Sequence, residues 1–351
     1  MKWNKAYWQD IENVVNVFRC FEELRGQSIL ITGATGMICS VVAEILLYMN
    51  NRQPDIKIFL SGRNKDKIIS RFSPFIEGVH YSFVYFDALE SQSFYDTFDY
   101  VIYGAGNCNP SYYVNEPVET MLSNFIGLNS ILKYVSIKKC KRVLYISSSE
   151  VYGAKEKENL PYSENEYGVS DILNVRNCYP STKRACETLC VSYYHEYNVN
   201  TVIVRPGHIY GPTISKTDGR VSAEFTRNVV ENKQIELKSD GLQLRSYCYC
   251  LDCASAILFV LLKGKNAEAY NISNKNSIIT ISQLAEEFAK YANSEVIYAN
   301  PSCSEKKAFN LMQNSSLVSE KIEKLGWKAL FNIKLGVEKT IEYYKIVNDD
   351  S

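Results

Sequence analysis

Tyr179 and Lys183 stand four residues apart in Tyr179-Pro180-Ser181-Thr182-Lys183, a spacing that sets both side chains on one face of a helix. Pro180 fits such a helix only in its first turn. A phenol near pKa ~10 is a poor base at neutral pH. An ammonium beside it, with a second positive charge close by, favours the phenolate. Lowering it by about three units takes roughly 4 kcal/mol of differential stabilisation, within reach of two close positive charges. Upstream, Ile146-Ser147-Ser148-Ser149-Glu150-Val151-Tyr152-Gly153 closes an apolar run, and a hydroxyl there can hydrogen-bond a substrate oxygen on a carbon that gains or loses hydride. Each feature alone is common; all three in this order point to acid/base work on a carbonyl or carbinol.

A second constellation supplies the hydride carrier and the extra positive charge. Thr32-Gly33-Ala34-Thr35-Gly36-Met37-Ile38-Cys39-Ser40 follows an apolar run and opens a helical stretch. Glycines at a strand-to-helix turn let the backbone approach a pyrophosphate at the positive helix N-terminus. Gly33, Thr35, Gly36, Met37 and Ile38 are therefore candidate dinucleotide contacts, with Cys39 in place of the usual third glycine. The next apolar run ends Phe59-Leu60-Ser61-Gly62-Arg63-Asn64-Lys65, without the acid that would bind the adenosine ribose. Arg63 with Ser61 either holds a 2′-phosphate or forms a solvated basic turn. The expectation is NADP(H) in preference to NAD(H), with an oxidised nicotinamide ring as the second positive charge.

Short apolar runs must position these residues: Ser28–Thr32, Ile56–Leu60, Tyr81–Phe86, Tyr100–Tyr103, Arg142–Ser147 and Thr201–Arg205. Helical stretches at 41–48, 121–136 and 181–197 lie between them, the alternation of an α/β parallel sheet covered on both faces. An amphipathic lead-in fills 1–27. After Arg205, Gly211-Pro212, Asp218-Gly219 and Asp240-Gly241 mark turns among shorter elements, read as a smaller, partly interleaved region. The expected division is 28–205 plus about 247–263 for the cofactor, and 206–246 plus about 264–351 for the substrate.

Composition sets outer limits. The 351 residues balance 39 basic against 39 acidic side chains, which gives no broad attraction to nucleic acid or an anionic membrane. The longest apolar run, 254–262, is too short to span a bilayer, and Met1-Lys-Trp-Asn-Lys carries no signal-peptide pattern. Eleven cysteines, an odd count, read as reduced thiols of a cytoplasmic protein. Cys248, Cys250 and Cys253 lack a fourth ligand at zinc spacing and read as small buried apolar groups; no metal is expected.

The motifs together resemble the extended short-chain dehydrogenase/reductase family of nucleotide-sugar epimerases, dehydratases and decarboxylases, from about residue 28 to Trp327. Blocks at 103–106, 115–117, 124–127, 148–153, 178–184, 218–221 and 243–247 are most similar to its UDP-glucuronate decarboxylase branch. The resemblance implies a Rossmann-like doubly wound sheet with a C-terminal substrate domain. It implies Tyr179 as acid/base, Lys183 as its partner and ribose ligand, and Ser148 as the polarising hydroxyl. Asp87 with Ala88 would meet the adenine, and Gly104, Ala105 and Gly106 would line the cofactor cleft. Asn109, Ser149, His208, Arg220 and Arg245 would face the substrate, the two arginines on its diphosphate. A homodimer through the 121–136 and 181–197 helices is implied too.

Departures narrow the reaction. Ser149 replaces the aspartate that serves the dehydratases as acid, while Glu150 remains, either moving a proton or capping. The arginine that meets a sugar carboxylate in the decarboxylases falls at about Asn314, and Lys306 and Lys307 lie too far upstream for a gapless match. His208 stands where relatives place an asparagine. The expectation is a hydride-transfer enzyme on a UDP-, CDP- or dTDP-linked sugar, leaning to NADPH-dependent reduction of a keto-sugar or ketose for surface polysaccharide. A self-recycling epimerase, decarboxylase or 4,6-dehydratase is the alternative.

Overall fold

The computed structural model describes residues 4–349, apart from 93, 156–159, 216–217, 293–294, 302–308 and 310–311; Lys306 and Lys307 lie outside the described residues. The lead-in is α1 (Lys5–Val17), capped by the Asn4 side chain, which accepts the Tyr7 amide. Tyr7, Ile11, Val14 and Val15 are its buried stripe. A 3-10 turn over Arg19–Leu24 adds Phe21 and Leu24 to the same core.

The chain then alternates: β1 (Ser28–Thr32), α2 (Met37–Arg52), β2 (Lys57–Gly62), α3 (Lys65–Phe72), β3 (Ser82–Tyr85), β4 (Tyr100–Tyr103), α4 (Pro110–Asn115), α5 (Pro117–Lys138), β5 (Arg142–Ile146), α6 (Cys178–Tyr197) and β6 (Thr201–Pro206). Further on come β7 (His208–Tyr210), α7 (Val221–Val230), β8 (Ile235–Leu237), β9 (Leu244–Tyr249), α8 (Cys250–Lys263) and β10 (Ala269–Ile272). The remainder holds β11 (Ile278–Thr280), α9 (Ile281–Ala292), β12 (Val296–Tyr298), β13 (Asn314–Ser315), α10 (Glu320–Lys324) and α11 (Ile333–Asp349).

Seven parallel strands form the main sheet in the order β3-β2-β1-β4-β5-β6-β10. Apolar residues alternate across it, as a strand's period of two requires. Ile29, Ile31, Ile102 and Leu144 enter the core that includes α2 and α8. Leu30, Val101, Tyr103, Val143 and Tyr145 enter the core beneath α5 and α6. Both faces are covered, which is why these strands read as continuous apolar runs.

Register decides where the functional residues emerge. Thr32 pairs with Ser61 on one side and Tyr103 on the other, and Tyr103 pairs with Tyr145. The carboxyl ends of β1, β2, β4 and β5 thus share one edge. The strand order reverses between β1 and β4, where a crevice opens outside the strand ends.

In the smaller region β9 is central, pairing with β7 and β13 in parallel and with β11 antiparallel, while β8 pairs with β12. One segment departs from the expected division. Ala269–Ile272 pairs with β6 on the main sheet, Asn271 opposite Arg205, so residues near 269–272 belong with the first region. Tyr270 and Ile272 bury into the core of α2 and α8 there, which returns the chain to the sheet after α8. Cys248, Cys250 and Cys253 are buried, and the described cysteines are free thiols. Among the described residues no metal-ligand cluster forms, and no helix is long and apolar enough to cross a membrane.

Candidate active site

A cleft of about 490 Å³ runs along the strand-end edge and is walled on its far side by the smaller region. Its first wall is the β1–α2 turn. Gly33 adopts φ +66°, and a Cβ there would stand 2.7 Å from the Gly104 carbonyl oxygen, so only glycine fits. Gly36 is the N-cap of α2 without a side-chain cap, leaving the helix amides for an external anion. Cys39 fills the third glycine position tightly: its Sγ occupies the space that a Cβ on Gly104 would need. Thr32 Oγ1 accepts the amides of Gly104 and Ala105 (3.1 and 3.2 Å), locking the β1 and β4 ends together. This glycine cradle at a helix N-terminus fits a dinucleotide pyrophosphate.

Ser148, Glu150, Tyr179 and Lys183 converge on the middle of the cleft. Lys183, buried on α6, donates from Nζ to the Ile146 carbonyl (2.9 Å) and stands 5.6 Å from the Tyr179 ring centre. The expected lowering of Tyr179 by that ammonium is not what the protein alone produces. Burial pushes the phenol well up, and Cys108 and Glu150 push it further. Hydrogen bonding to Ser148 and Tyr113 pulls it back down. The ammonium is committed to a backbone carbonyl, and its own charge is disfavoured by burial.

Glu150 is held by Arg176 in a two-pronged ion pair, Nη1 to Oε2 at 2.9 Å and Nη2 to Oε1 at 3.1 Å. The same guanidinium lies 4.8 Å over the Tyr113 ring, and Tyr113 stacks on Tyr179 at 4.4 Å and 11°. Tyr113 and Arg176 lie outside the motifs that mark the site in the sequence. Arg176 had a local signal, three residues before Tyr179, whereas Tyr113 on α4 had none, because only tertiary packing brings it there.

The far wall carries the cations. Arg220, N-cap of α7, pairs with Asp218 (Nε to Oδ1, 2.9 Å) and reaches Met37 Sδ at 3.4 Å. Asp218 holds that guanidinium ionised, and its own carboxyl is lowered in return. Arg245 is 3% exposed and donates to the carbonyls of Leu244 (2.9 Å) and Gln313 (3.4 Å). Among the described residues no carboxylate comes within ion-pair distance of it. His208 lies near both arginines; burial first, then Arg245 and Arg220, lower it to about 3, so the ring is neutral at pH 7. Its Nδ1 is buried without a partner.

Met37, Ile38, Gly104, Ala105, Gly106 and Ser149 also line the cleft. Thr35, Ser61, Arg63, Asp87, Ala88 and Asn109 do not form its wall. Arg63 is exposed just past β2, whereas the Ser61 hydroxyl is buried and unpaired, so Ser61 does not face solvent beside it. Asp87 Oδ1 accepts the Leu89 amide (3.0 Å). Asn109 caps α4 through the Ser111 amide (3.2 Å). Asn314 spends its Oδ1 on the amide and hydroxyl of Ser316 (2.8 and 2.6 Å).

A model described as the NAD dependent epimerase/dehydratase family matches residues 29–273. The chain is 28% identical to human dTDP-D-glucose 4,6-dehydratase, covering 93% of this chain and 94% of that one. It is 24% identical to UDP-glucuronic acid decarboxylase 1 of Xenopus tropicalis, covering 90% and 72%. Among solved structures, dTDP-glucose 4,6-dehydratase of Bacillus anthracis in complex with NAD superposes with a TM-score of 0.73 at 21% identity, covering 92% and 98%.

Proposed function

The chain belongs to the NAD dependent epimerase/dehydratase family, and from that premise we propose that it reduces a keto-sugar or ketose carried on a nucleoside diphosphate. The observation that carries the reading is the meeting, in one cleft, of the glycine cradle, the Ser148–Tyr179–Lys183 group and the Arg220–Arg245 wall. The relatives named above act, by their names, on dTDP- and UDP-linked sugars, which supports a nucleotide sugar as substrate. Gly33, Gly36, Met37 and Ile38 would hold the dinucleotide, with Gly104, Ala105 and Gly106 along it and Thr35, Asp87 and Ala88 towards its adenosine end. A bound nicotinamide supplies hydride exchange at a sugar carbon, which no side chain can supply.

The residues of the chain do the rest. Tyr179 exchanges a proton with the reacting sugar oxygen, and Ser148 donates a hydrogen bond to the same oxygen. Lys183 fixes the corner through Ile146 and reaches the ribose. Arg245, a buried cation that among the described residues donates to carbonyls, gains a charge-assisted partner when a diphosphate enters; Arg220 brings a second positive charge. Ser149 and His208 face the sugar and diphosphate, and Asn109 caps α4 beside them.

Two features favour net reduction over the lyase reactions of the relatives. Ser149 offers no carboxylic acid for expelling water, and Asn314 offers no cation for a sugar carboxylate. Arg63, exposed where an acid would select NAD, supports NADP(H), although the B. anthracis relative was solved with NAD. Exposed Val118, Met121, Leu122 and Phe125 on α5 and Val191 and Tyr194 on α6 support a homodimer through those helices, and the free thiols support a reducing, cytoplasmic setting. Purified protein with NADPH and UDP-, CDP- or dTDP-linked keto-sugars should consume NADPH absorbance with at least one of them. Absence of any consumption, together with isomerisation of a UDP-hexose on retained NAD, rejects the reductase in favour of an epimerase.

A further inference from the structure

The lead-in helix α1 carries two groups that an apolar stripe does not need. Tyr7, Asp10, Ile11 and Val14 share its buried face, spaced at one helical turn. A carboxylate and a phenol buried there require fixed partners, and each finds one on a different helix. The Tyr7 hydroxyl donates to Glu44 Oε2 on α2 (2.6 Å), and Glu44 Oε1 accepts Arg71 Nη1 from α3 (2.6 Å). Asp10 Oδ2 accepts the Tyr343 hydroxyl (2.6 Å) and the Lys339 ammonium (2.7 Å) from α11. The Tyr7 and Tyr343 rings meet edge to face at 5.3 Å, a favoured aromatic geometry.

Two helices that serve opposite walls of the cleft are thereby joined through α1. Along α2 the contacts repeat every four residues: Tyr7 on Glu44, Trp8 stacked on Tyr48 at 6.3 Å, and Glu12 paired with Arg52. That stripe seats α1 along the helix that begins at the glycine cradle. On the other side, α11 lies on α7. Next to Tyr343, Tyr344 packs with Ile214 and with Ala223 in the first turn of α7, and Met37 lies against the same cluster. The Ala223 amide donates to the carbonyl of Arg220 (3.0 Å), the N-cap that brings the far wall its guanidinium. A buried polar contact has one register, where apolar faces alone can slide. The Tyr7 and Asp10 bonds therefore fix where α11, and α7 against it, stand relative to α2.

From this chain of contacts we propose that Tyr7 and Asp10 of α1, with Tyr343 and Lys339 of α11, form a brace behind the cleft that positions Arg220 for the substrate diphosphate. The proposal rests on the reading of Arg220 as a diphosphate contact. None of the four lines the cleft; they are positioning residues that act through α7. Loosening the brace weakens the hold on the nucleotide sugar, while the glycine cradle and the Tyr179 corner keep their own contacts. Substitutions along such a relay change ligand affinity by about two- to thirtyfold without touching the ligand.

The test uses Tyr343→Phe and Tyr7→Phe, which keep the rings and remove only the bonded hydroxyls. The Asp10–Lys339 and Glu44–Arg71 pairs stay in place, so no buried charge is stranded. Hydrogen exchange read by mass spectrometry follows the brace without any substrate. Tyr343→Phe should speed exchange across 221–230 of α7 by about tenfold, the worth of one hydrogen bond to a charged group, with 28–32 and 57–62 of the main sheet unchanged. In turnover either variant should raise the KM for the nucleotide sugar about three- to tenfold, with kcat and the cofactor Kd unchanged. A lower melting temperature with unchanged KM, or faster exchange confined to α1 and α11, marks a merely structural contact and overturns the proposal. A wild-type protein inert towards every nucleotide sugar rejects the reading of the site, and the exchange of α7 still decides the brace.

Discussion

The two ends of the cleft are built by opposite means. At the β1–α2 end the work is done by backbone: Gly33 at φ +66°, Gly36 at the start of α2, and the Thr32 hydroxyl joining β1 to β4. The residues 33–38 of that turn carry no formal charge, and a pyrophosphate would be met by amides and a helix end. At the far wall the work is done by charged side chains, one guanidinium held by its own aspartate and another buried with no carboxylate within ion-pair distance among the described residues. The first end is fixed before a ligand arrives. The second buries a cation whose charge is disfavoured by desolvation, which an anionic ligand would offset. Under the proposed function, the pyrophosphate would be held by backbone shape and the substrate diphosphate by charge, with Tyr179 between them.

This contrast can be broken at either end. The largest effect is expected at the charged one. Arg245→Met removes the buried cation and should raise the KM for the nucleotide sugar by about 10- to 100-fold, the worth of a charged hydrogen bond of roughly 1.5–3 kcal/mol, with cofactor affinity unchanged by titration. Gly33→Ala places a Cβ against the Gly104 carbonyl at φ +66°. It should cost about 1–3 kcal/mol, seen as a lower melting temperature and weaker dinucleotide binding at unchanged KM for the sugar. Arg63→Ala should weaken NADPH binding about tenfold, at the lower end of a charged hydrogen bond's worth, and leave NADH binding nearly untouched; equal effects reject Arg63 as the selector. The smallest effect is on pH dependence.

His208 shows its sign. Its folded pKa, about 3, lies below the ordinary value of 6.5. The unfolded chain therefore takes up a proton first as pH falls, and the native state loses stability below about pH 6.5. His208→Asn should flatten that part of the melting-temperature profile, checked by thermal denaturation from neutral pH down to about pH 5.

What the sequence made legible follows the same division. The strands of the main sheet were readable because burial on both faces leaves runs such as Ser-Ile-Leu-Ile-Thr at 28–32 with no polar interruption. The glycine turn and the Tyr179–Lys183 pair were readable because each is local, a strand-to-helix turn and one helical step. β10 was misplaced because a short run after a helix carries no mark of the sheet it joins. Tyr113 was missed because its meeting with Tyr179 depends on how α4 packs against the turn before α6. Arg245 is marked by its motif in the sequence, yet its burial against the Leu244 and Gln313 carbonyls is a property of the packed β9–β13 edge.

The central claim is that Tyr179 and a nicotinamide dinucleotide carry out net reduction of a nucleotide-linked sugar. NADPH deuterated on the transferring face of its nicotinamide ring tests this most directly, with mass spectrometry of the sugar product. The account predicts one deuterium on the reacting sugar carbon per NADPH consumed, abolished by Tyr179→Phe. A product formed without deuterium, while NADPH is left unspent, would contradict it.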